Sequence, residues 1–124
     1  MSEVKRITRI ATDAAGGSIF EDDEFPVDAV QGVTGMFTGA VPAASTVVYG
    51  RHDMWEVGAH PAPHNAPRRQ WVVVLRGAVE VEVTDGSRRT FGPGDLLRAE
   101  DTDGAGHITR PVGDTPVEAL YLPD

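Results

Sequence analysis

Glycine and proline are spread through this sequence too densely to allow long helices. The 124 residues include 14 glycines and 9 prolines, and both residue types interrupt helical segments. Between them lie short runs rich in β-branched and aromatic residues. The run 79–83 alternates valine with glutamate, the pattern of a strand with one buried face. We therefore predict an all-β domain of many short strands, arranged as a sandwich or barrel.

The segment 64–77 joins a stiff loop to an apolar strand. Three prolines lie within residues 61–67, which excludes both a helix and a central strand there. Residues 71–75 then form a continuous apolar run that ends close to Gly77. A run of this length predicts a strand buried on both faces, in a sandwich layer or a dimer interface. Polar side chains stand at the mouth of this strand and predict a pocket, namely His64, Arg68 and Gln70.

Composition restricts the class of partner. Nineteen acidic against eleven basic residues give a formal charge of −8, and an acidic surface repels nucleic acid. No apolar run approaches the roughly 20 residues needed to span a membrane. We therefore expect neither nucleic acid nor a membrane as a partner. The length suits a single domain over residues 1–124. The absence of cysteine excludes disulfides and thiolate chemistry and fits a cytoplasmic location.

Two local patterns lead to more detailed predictions. The acidic cluster at residues 21–24 is interpreted as a solvated loop, because four adjacent carboxylates repel one another too strongly to favour a metal site. Asp85-Gly86 is a strong hairpin signal. A two-residue turn at this point would place Glu82 opposite Arg89 on the wet face of the sheet.

Three segments together resemble a small single-domain cupin. They are residues 64–77, the Gly-Pro-Gly-Asp turn at residues 92–95, and Gly-Ala-Gly-His at residues 104–107. The sequence Asn-Ala-Pro-Arg-Arg-Gln at residues 65–70 is similar to a bacterial subgroup of these proteins. The resemblance covers a barrel core at residues 45–122, preceded by N-terminal strands and loops at 1–44. It implies a cupin-type double-stranded β-helix, a jelly-roll barrel of two antiparallel sheets, and a homodimer.

The resemblance also implies a set of site residues. The family's metal site holds three histidines and one glutamate. In this sequence His64 and His107 match two of the histidines, whereas Ala66 and Gln70 stand at the other histidine position and at the glutamate position. The implied metal set is therefore His64, Gln70 and His107, for Fe, Mn, Ni or Zn. Without metal, the two imidazoles are candidate general acid and base.

Further residues are candidate substrate contacts. Arg68 shares the strand face of Gln70 and is suited to pair with a carboxylate or enolate, whereas Arg69 points the other way, towards surface acids. His60 and Trp55 complete the predicted substrate-binding set. For Arg68 the alternative is a salt bridge that anchors the loop. For His60 it is a structural role through hydrogen bonds, and for Trp55 it is a place in the core or the dimer interface.

The resemblance implies a barrel that binds a small organic metabolite in its interior. We expect an enzyme that uses His64, Gln70 and His107, of the isomerase, cyclase or lyase type, or a metal-dependent oxygenase. The alternative is a non-catalytic small-molecule-binding or accessory protein without bound metal. Fold alone does not select a reaction, because this barrel carries many unrelated activities.

Overall fold

The computed structural model describes residues 3–40, 46–52 and 62–124. Every regular element in these ranges is a strand, which confirms the predicted all-β class. The part described contains no helix long and apolar enough to cross a membrane. The strands are β1 (Glu3–Thr12), β2 (Ser18–Ala29), β3 (Phe37–Thr38), β4 (Val48–His52), β5 (Gln70–Arg76), β6 (Ala78–Glu82), β7 (Arg88–Phe91), β8 (Leu96–Ala99), β9 (Ile108–Val112) and β10 (Val117–Pro123).

The strands form two sheets, as expected for a jelly roll. The larger sheet has seven strands in the order β3-β2-β1-β8-β5-β10-β4, and the smaller has three in the order β7-β6-β9. Neighbouring strands are antiparallel, except that β1 runs parallel to β8. Because β1 lies between β2 and β8, the N-terminal segment is an integral part of the larger sheet.

Strict alternation places the hydrophobic core between the two sheets. Val79 and Val81 on β6 are buried, whereas Glu80 and Glu82 face outward. The inward faces of β5 and β8 meet this layer, where Val74 is the most deeply buried hydrophobic residue. The buried apolar cluster comprises Ile10, Val74, Val79, Val81, Val83, Phe91, Leu97 and Val117.

Strand β5 is covered on both faces at its start but not at its end. The Trp71 ring lies on the outer face of the sheet, edge-on to the Phe25 ring at 6.1 Å, and the Arg98 guanidinium lies 5.1 Å from its centroid. Leu75 lies four residues after Trp71 on the same face and is 46 % exposed. Burial on both faces is therefore correct for the Trp71 end only.

The acidic cluster is mostly exposed, as expected, but it is part of a strand, so its interpretation as a loop was wrong. Residues 21–24 lie within β2, opposite the basic strand β1. Arg9 forms an ion pair with Asp23, and Arg89 contacts Asp22 at 2.8 Å. These cations offset the repulsion between adjacent carboxylates, which the local sequence alone does not reveal.

The Asp85-Gly86 hairpin has a longer loop than predicted. The Val83 N–H donates to the Ser87 carbonyl at 3.0 Å, leaving a three-residue loop in which Gly86 has a φ of +88°. Glu82 therefore lies opposite Arg88, and the predicted pairing with Arg89 is wrong. The Asp85 carboxylate accepts the Ser87 N–H at 2.7 Å and thereby stabilises the longer turn.

Candidate functional site

A cavity of about 370 Å³ lies between the two sheets. Its walls are mainly aliphatic side chains of both sheets, including Val72, Val74 and Leu97 from the larger sheet and Val79 and Val81 from the smaller. The size is at the lower end of the range of about 300–1,000 Å³ that is common for small-molecule sites. The polar residues that line the cavity are fewer: His52, His64, Arg68, Gln70, His107, Thr109 and Tyr121.

The two histidines identified from the sequence meet at one end of this cavity. The backbone groups of His64 and His107 form two mutual hydrogen bonds, each of 2.9 Å, in an isolated antiparallel bridge. Their imidazole rings lie 4.7 Å apart between centroids, at an angle of 57°. Gly106 has a φ of +73°, and a Cβ atom on it would overlap the His64 carbonyl. Glycine is therefore what permits the close approach of the two loops.

Asn65 joins the loop that carries His64 to the loop that precedes His107. Its side-chain amide donates to the carbonyl oxygens of Asp103 at 2.9 Å and Gly104 at 3.2 Å. It also reaches the carbonyl of Asp101 at 3.3 Å, to which the Ala66 N–H donates at 3.2 Å. One asparagine thus fixes the glycine-rich loop against the proline-rich loop.

The N-terminal segment supports the same loop from the other side. The Ser18 side chain is fully buried and donates to the Gly106 carbonyl at 2.6 Å. The Ala105 N–H donates to the Gly16 carbonyl at 2.7 Å. The turn between β1 and β2 therefore contributes directly to the position of His107.

Asp101 is the polar residue packed most closely against the histidines. It is 0 % exposed, and its Oδ2 atom forms a short hydrogen bond with Nδ1 of His107, which is itself 7 % exposed. Its Oδ1 atom is buried and has no hydrogen-bond partner among the residues described. A carboxylate directly before a glycine-rich loop commonly caps that loop, and Arg68 would be another partner for it. The Asp101 side chain instead lies against the imidazole of His107.

The two imidazoles have different surroundings. His64 lies at the cavity mouth, where partial burial and then the neighbouring His107 lower its pKa. Its hydrogen bond to the backbone at Ala62 and the Asp101 carboxylate oppose this shift less strongly. These surroundings favour the neutral form of His64. His107 is the more buried ring and is in direct contact with a carboxylate.

Gln70 and Arg68 line the cavity together, as their spacing predicted. Gln70 is 6 % exposed, and Arg68 is exposed at the mouth and has no ion pair within the described ranges. Arg69 contacts Glu100 at 2.7 Å and Asp124 at 3.9 Å, as expected for an arginine on the outer side. Among the described residues, Arg69 therefore forms salt bridges and Arg68 forms none.

The described cavity residues offer a divalent metal only neutral donors. Three imidazoles, those of His52, His64 and His107, line the cavity with the neutral amide of Gln70, and Ala66 contributes no donor atom. Asp101 is the nearest carboxylate, but it lies behind His107. No group of three or more His, Cys, Asp or Glu side chains within residues 3–40, 46–52 and 62–124 is arranged to hold an ion. A dication would therefore lack an anionic ligand among these residues.

Tyr121 is a polar lining residue that sequence reasoning missed. It follows Val117 and Ala119 on the inward face of β10, so the alternation of that strand was the available signal. Burial raises its pKa. A Cβ atom on Gly50 would lie 2.6 Å from the tyrosine ring, so the glycine makes room for it. Thr109 and His52 line the same cavity, whereas the predicted contacts Trp55 and His60 lie outside the described residues.

The comparisons with known proteins support the assignment to a family. A search of curated proteins finds no match to the chain. A family model described as "Cupin domain" matches residues 52–123, which is more than half of the sequence. This range contains both histidine segments, the cavity strand β5 and the carboxylate Asp101. The chain therefore belongs to the cupin domain family.

Proposed function

We propose that the cavity binds a small organic acid and that His107, together with His64, transfers a proton to or from it. One observation carries this proposal: a buried carboxylate contacts the ring of His107 at one end of a mainly aliphatic cavity. A group with this environment is suited to acid–base chemistry, which commonly contributes a rate enhancement of about 10²–10⁴.

The lining supports an anionic ligand with an apolar body. The aliphatic walls suit a short carbon chain or a small ring, and Arg68 at the mouth is suited to a carboxylate. The amide of Gln70 lies on the same strand face and offers both a donor and an acceptor. A ligand held in this way presents its carbon skeleton to the two imidazoles.

A second candidate is binding without catalysis. Ala66 and Gln70 favour it, because they stand where the family's metal site has a histidine and a glutamate and they supply neither an imidazole nor a charge. The same cavity would then serve an accessory or sensing role. Both candidates share the ligand class and differ only in whether protons exchange.

The predicted metal set of His64, Gln70 and His107 remains a third hypothesis, for Fe, Mn, Ni or Zn. It lacks an anionic ligand among the described residues, so we route no step through a metal. Metal content of untagged protein tests it directly. Stoichiometric metal retained after dialysis would support the hypothesis.

Binding of small acids and their amides tests the ligand class. Pentanoate, levulinate and benzoate, each paired with its uncharged amide, can be titrated against the protein by ligand-observed NMR. The acids should bind more tightly than the amides. Arg68→Gln should weaken the acids about tenfold or more, the effect of losing a charge-assisted hydrogen bond, and should leave the amides unchanged.

Arg69→Gln is the matched control, because this neighbouring arginine pairs with Glu100 outside the cavity. It should leave both sets of ligands unaffected. Equal binding of acids and amides, or equal losses in the two arginine variants, would contradict an anionic ligand at Arg68.

Hydrogen–deuterium exchange separates catalysis from binding. Levulinate carries exchangeable protons next to its ketone, and a positioned base accelerates their replacement in D₂O. An enzyme of the proposed type should speed this exchange, and His107→Ala should abolish the acceleration. Levulinate that binds without accelerated exchange would favour the non-catalytic candidate.

A further inference from the structure

The described residues give the Asp101 carboxylate a single side-chain partner. The side chain is fully enclosed, and His107 is the group it contacts. Burial of a carboxylate without compensation is costly, so such groups are retained where a partner needs them. Because its Oδ1 atom has no partner among the described residues, nearly all of the compensation falls on the bond to His107.

The backbone of Asp101 is held as firmly as its side chain. Its carbonyl accepts the Ala66 N–H and the Asn65 side-chain amide. Both donors belong to the loop that carries His64. The carboxylate, the two histidines and the proline-rich loop therefore form one connected unit, in which the imidazole of His107 has little freedom to rotate.

We propose that Asp101 is a positioning residue that holds His107 as the Nδ1–H tautomer and thereby presents a basic Nε2 atom to the cavity. The carboxylate accepts a hydrogen bond from the Nδ1–H group, which leaves the lone pair of the neutral ring on the opposite nitrogen. This inference rests on the proposed acid–base function, and it identifies which imidazole and which nitrogen accepts the proton.

The proton balance of this step closes without a further reactant. A C–H or O–H bond of the ligand breaks, its proton passes to Nε2 of His107, and the electron pair stays on the ligand. The Nδ1 proton remains in its hydrogen bond with Asp101, whose negative charge stabilises the imidazolium. The proton on Nε2 then returns to the ligand at the same or a neighbouring atom.

The tautomer can be measured without any ligand. Two-bond ¹H–¹⁵N correlation spectra distinguish the protonated from the unprotonated ring nitrogen of each of the four histidines, and His107→Gln assigns the signal. In the wild-type protein, the neutral form of His107 should carry its proton on Nδ1. In Asp101→Asn, the amide donates to Nδ1, and the proton should move to Nε2.

Asp103→Asn is the matched control, since Asp103 is an exposed acid of the same loop that contacts Asn65 through its carbonyl only. It should leave the His107 tautomer unchanged. A wild-type spectrum with the proton on Nε2 would overturn the inference by itself, even if Asp101→Asn does not fold. An unchanged tautomer in folded Asp101→Asn would overturn it as well.

Levulinate exchange distinguishes positioning from a purely structural role. Asp101→Asn should slow the catalysed exchange by about 10²–10⁴ while the dissociation constant of levulinate stays within about twofold. Loss of binding and exchange together would mean that Asp101 only maintains the fold and would overturn the inference. Absence of exchange in the wild-type protein, with His107 still in the Nδ1–H form, would instead count against the proposed catalytic function.

Discussion

At the residue scale, Gly106 decides how closely the two histidines approach. Its backbone has a φ of +73°, and a Cβ atom would overlap the carbonyl of His64. Gly106→Ala should therefore destabilise the fold by about 2–5 kcal/mol, combining left-handed backbone strain with steric overlap. It should also separate the rings of His64 and His107. Urea unfolding and nuclear Overhauser contacts between the two rings measure these effects.

Gly86→Ala provides the control for backbone strain alone. Gly86 has a φ of +88°, and no atom lies within 4 Å of a Cβ placed on it. This variant should lose only about 1–2 kcal/mol and should keep the histidine contacts. Equal losses at the two glycines would show that the approach of the two loops does not depend on Gly106.

We infer that Ala66 and Gln70 weaken metal binding in this cavity. The double variant Ala66→His, Gln70→Glu adds one imidazole and one anionic oxygen to the existing histidines. It should bind Ni²⁺ or Zn²⁺ more tightly than the wild-type protein, because the charge of the ion then has an anionic partner. Isothermal titration calorimetry on untagged, chelator-treated protein measures the gain. Wild-type affinity equal to that of the double variant would contradict this explanation.

The sequence identified the two histidines, Gln70 and Arg68 as cavity residues, because motif spacing and strand alternation are local properties. It did not reveal the role of Asp101. That role depends on the glycine-rich loop folding back so that the carboxylate is enclosed beside a ring six residues further along the chain. The burial of Asp101 and its contact with His107 arise from tertiary packing, which the residue type alone does not reveal.

At the scale of elements, Arg98 connects β8 with Asp124, which follows β10, and with Glu100, which follows β8. It is 8 % exposed and donates to Asp124 at 2.7 and 2.6 Å and to Glu100 at 3.0 Å. Arg98→Met should destabilise the protein by about 1–2 kcal/mol, a moderate value because Asp124 is largely exposed. Thermal or urea unfolding at neutral pH measures the loss. Arg88→Met, at an exposed arginine on β7, should cost less.

The contact between Arg98 and Glu100 also predicts how the stability of the protein depends on acidic pH. Burial tends to raise the pKa of Glu100, but hydrogen bonds from Arg98 and Arg69 prevail and lower it from its ordinary value of 4.5. A lowered folded-state pKa contributes stability above the unfolded value, and this stability is lost as the pH falls below it. The difference between wild type and Arg98→Met should therefore shrink below about pH 4.5. A difference that stays constant down to pH 3 would contradict the assignment.

Elements were predictable where their pattern was local. Alternation in β6 was read correctly because valines and glutamates change strictly from one residue to the next. The strand character of β2 was missed because its acidic residues are stabilised by Arg9 on β1 and Arg89 on β7. The second of these lies more than sixty positions away along the chain, and no local pattern encodes such a contact.

At the scale of the whole molecule, an apolar row crosses the outer face of the larger sheet. Strand pairing places Leu120 of β10 between Tyr49 of β4 and Val73 of β5, and Leu96 of β8 lies next to Val73. Tyr49 is 55 % exposed and Leu75 is also exposed on this side. Contiguous apolar residues on an open sheet face favour a covering partner. We expect that partner to be a second copy, as the family resemblance suggested.

Light scattering during size-exclusion chromatography tests this expectation. The wild-type protein should elute as a dimer, and Leu120→Glu should shift it towards the monomer, because a buried unpaired charge opposes association. Circular dichroism should show that the variant keeps its β-structure. Val112→Glu is the control, since Val112 is an exposed apolar residue on the smaller sheet and should not affect association. A monomeric wild type, or dissociation caused by Val112→Glu alone, would place the interface elsewhere or exclude it.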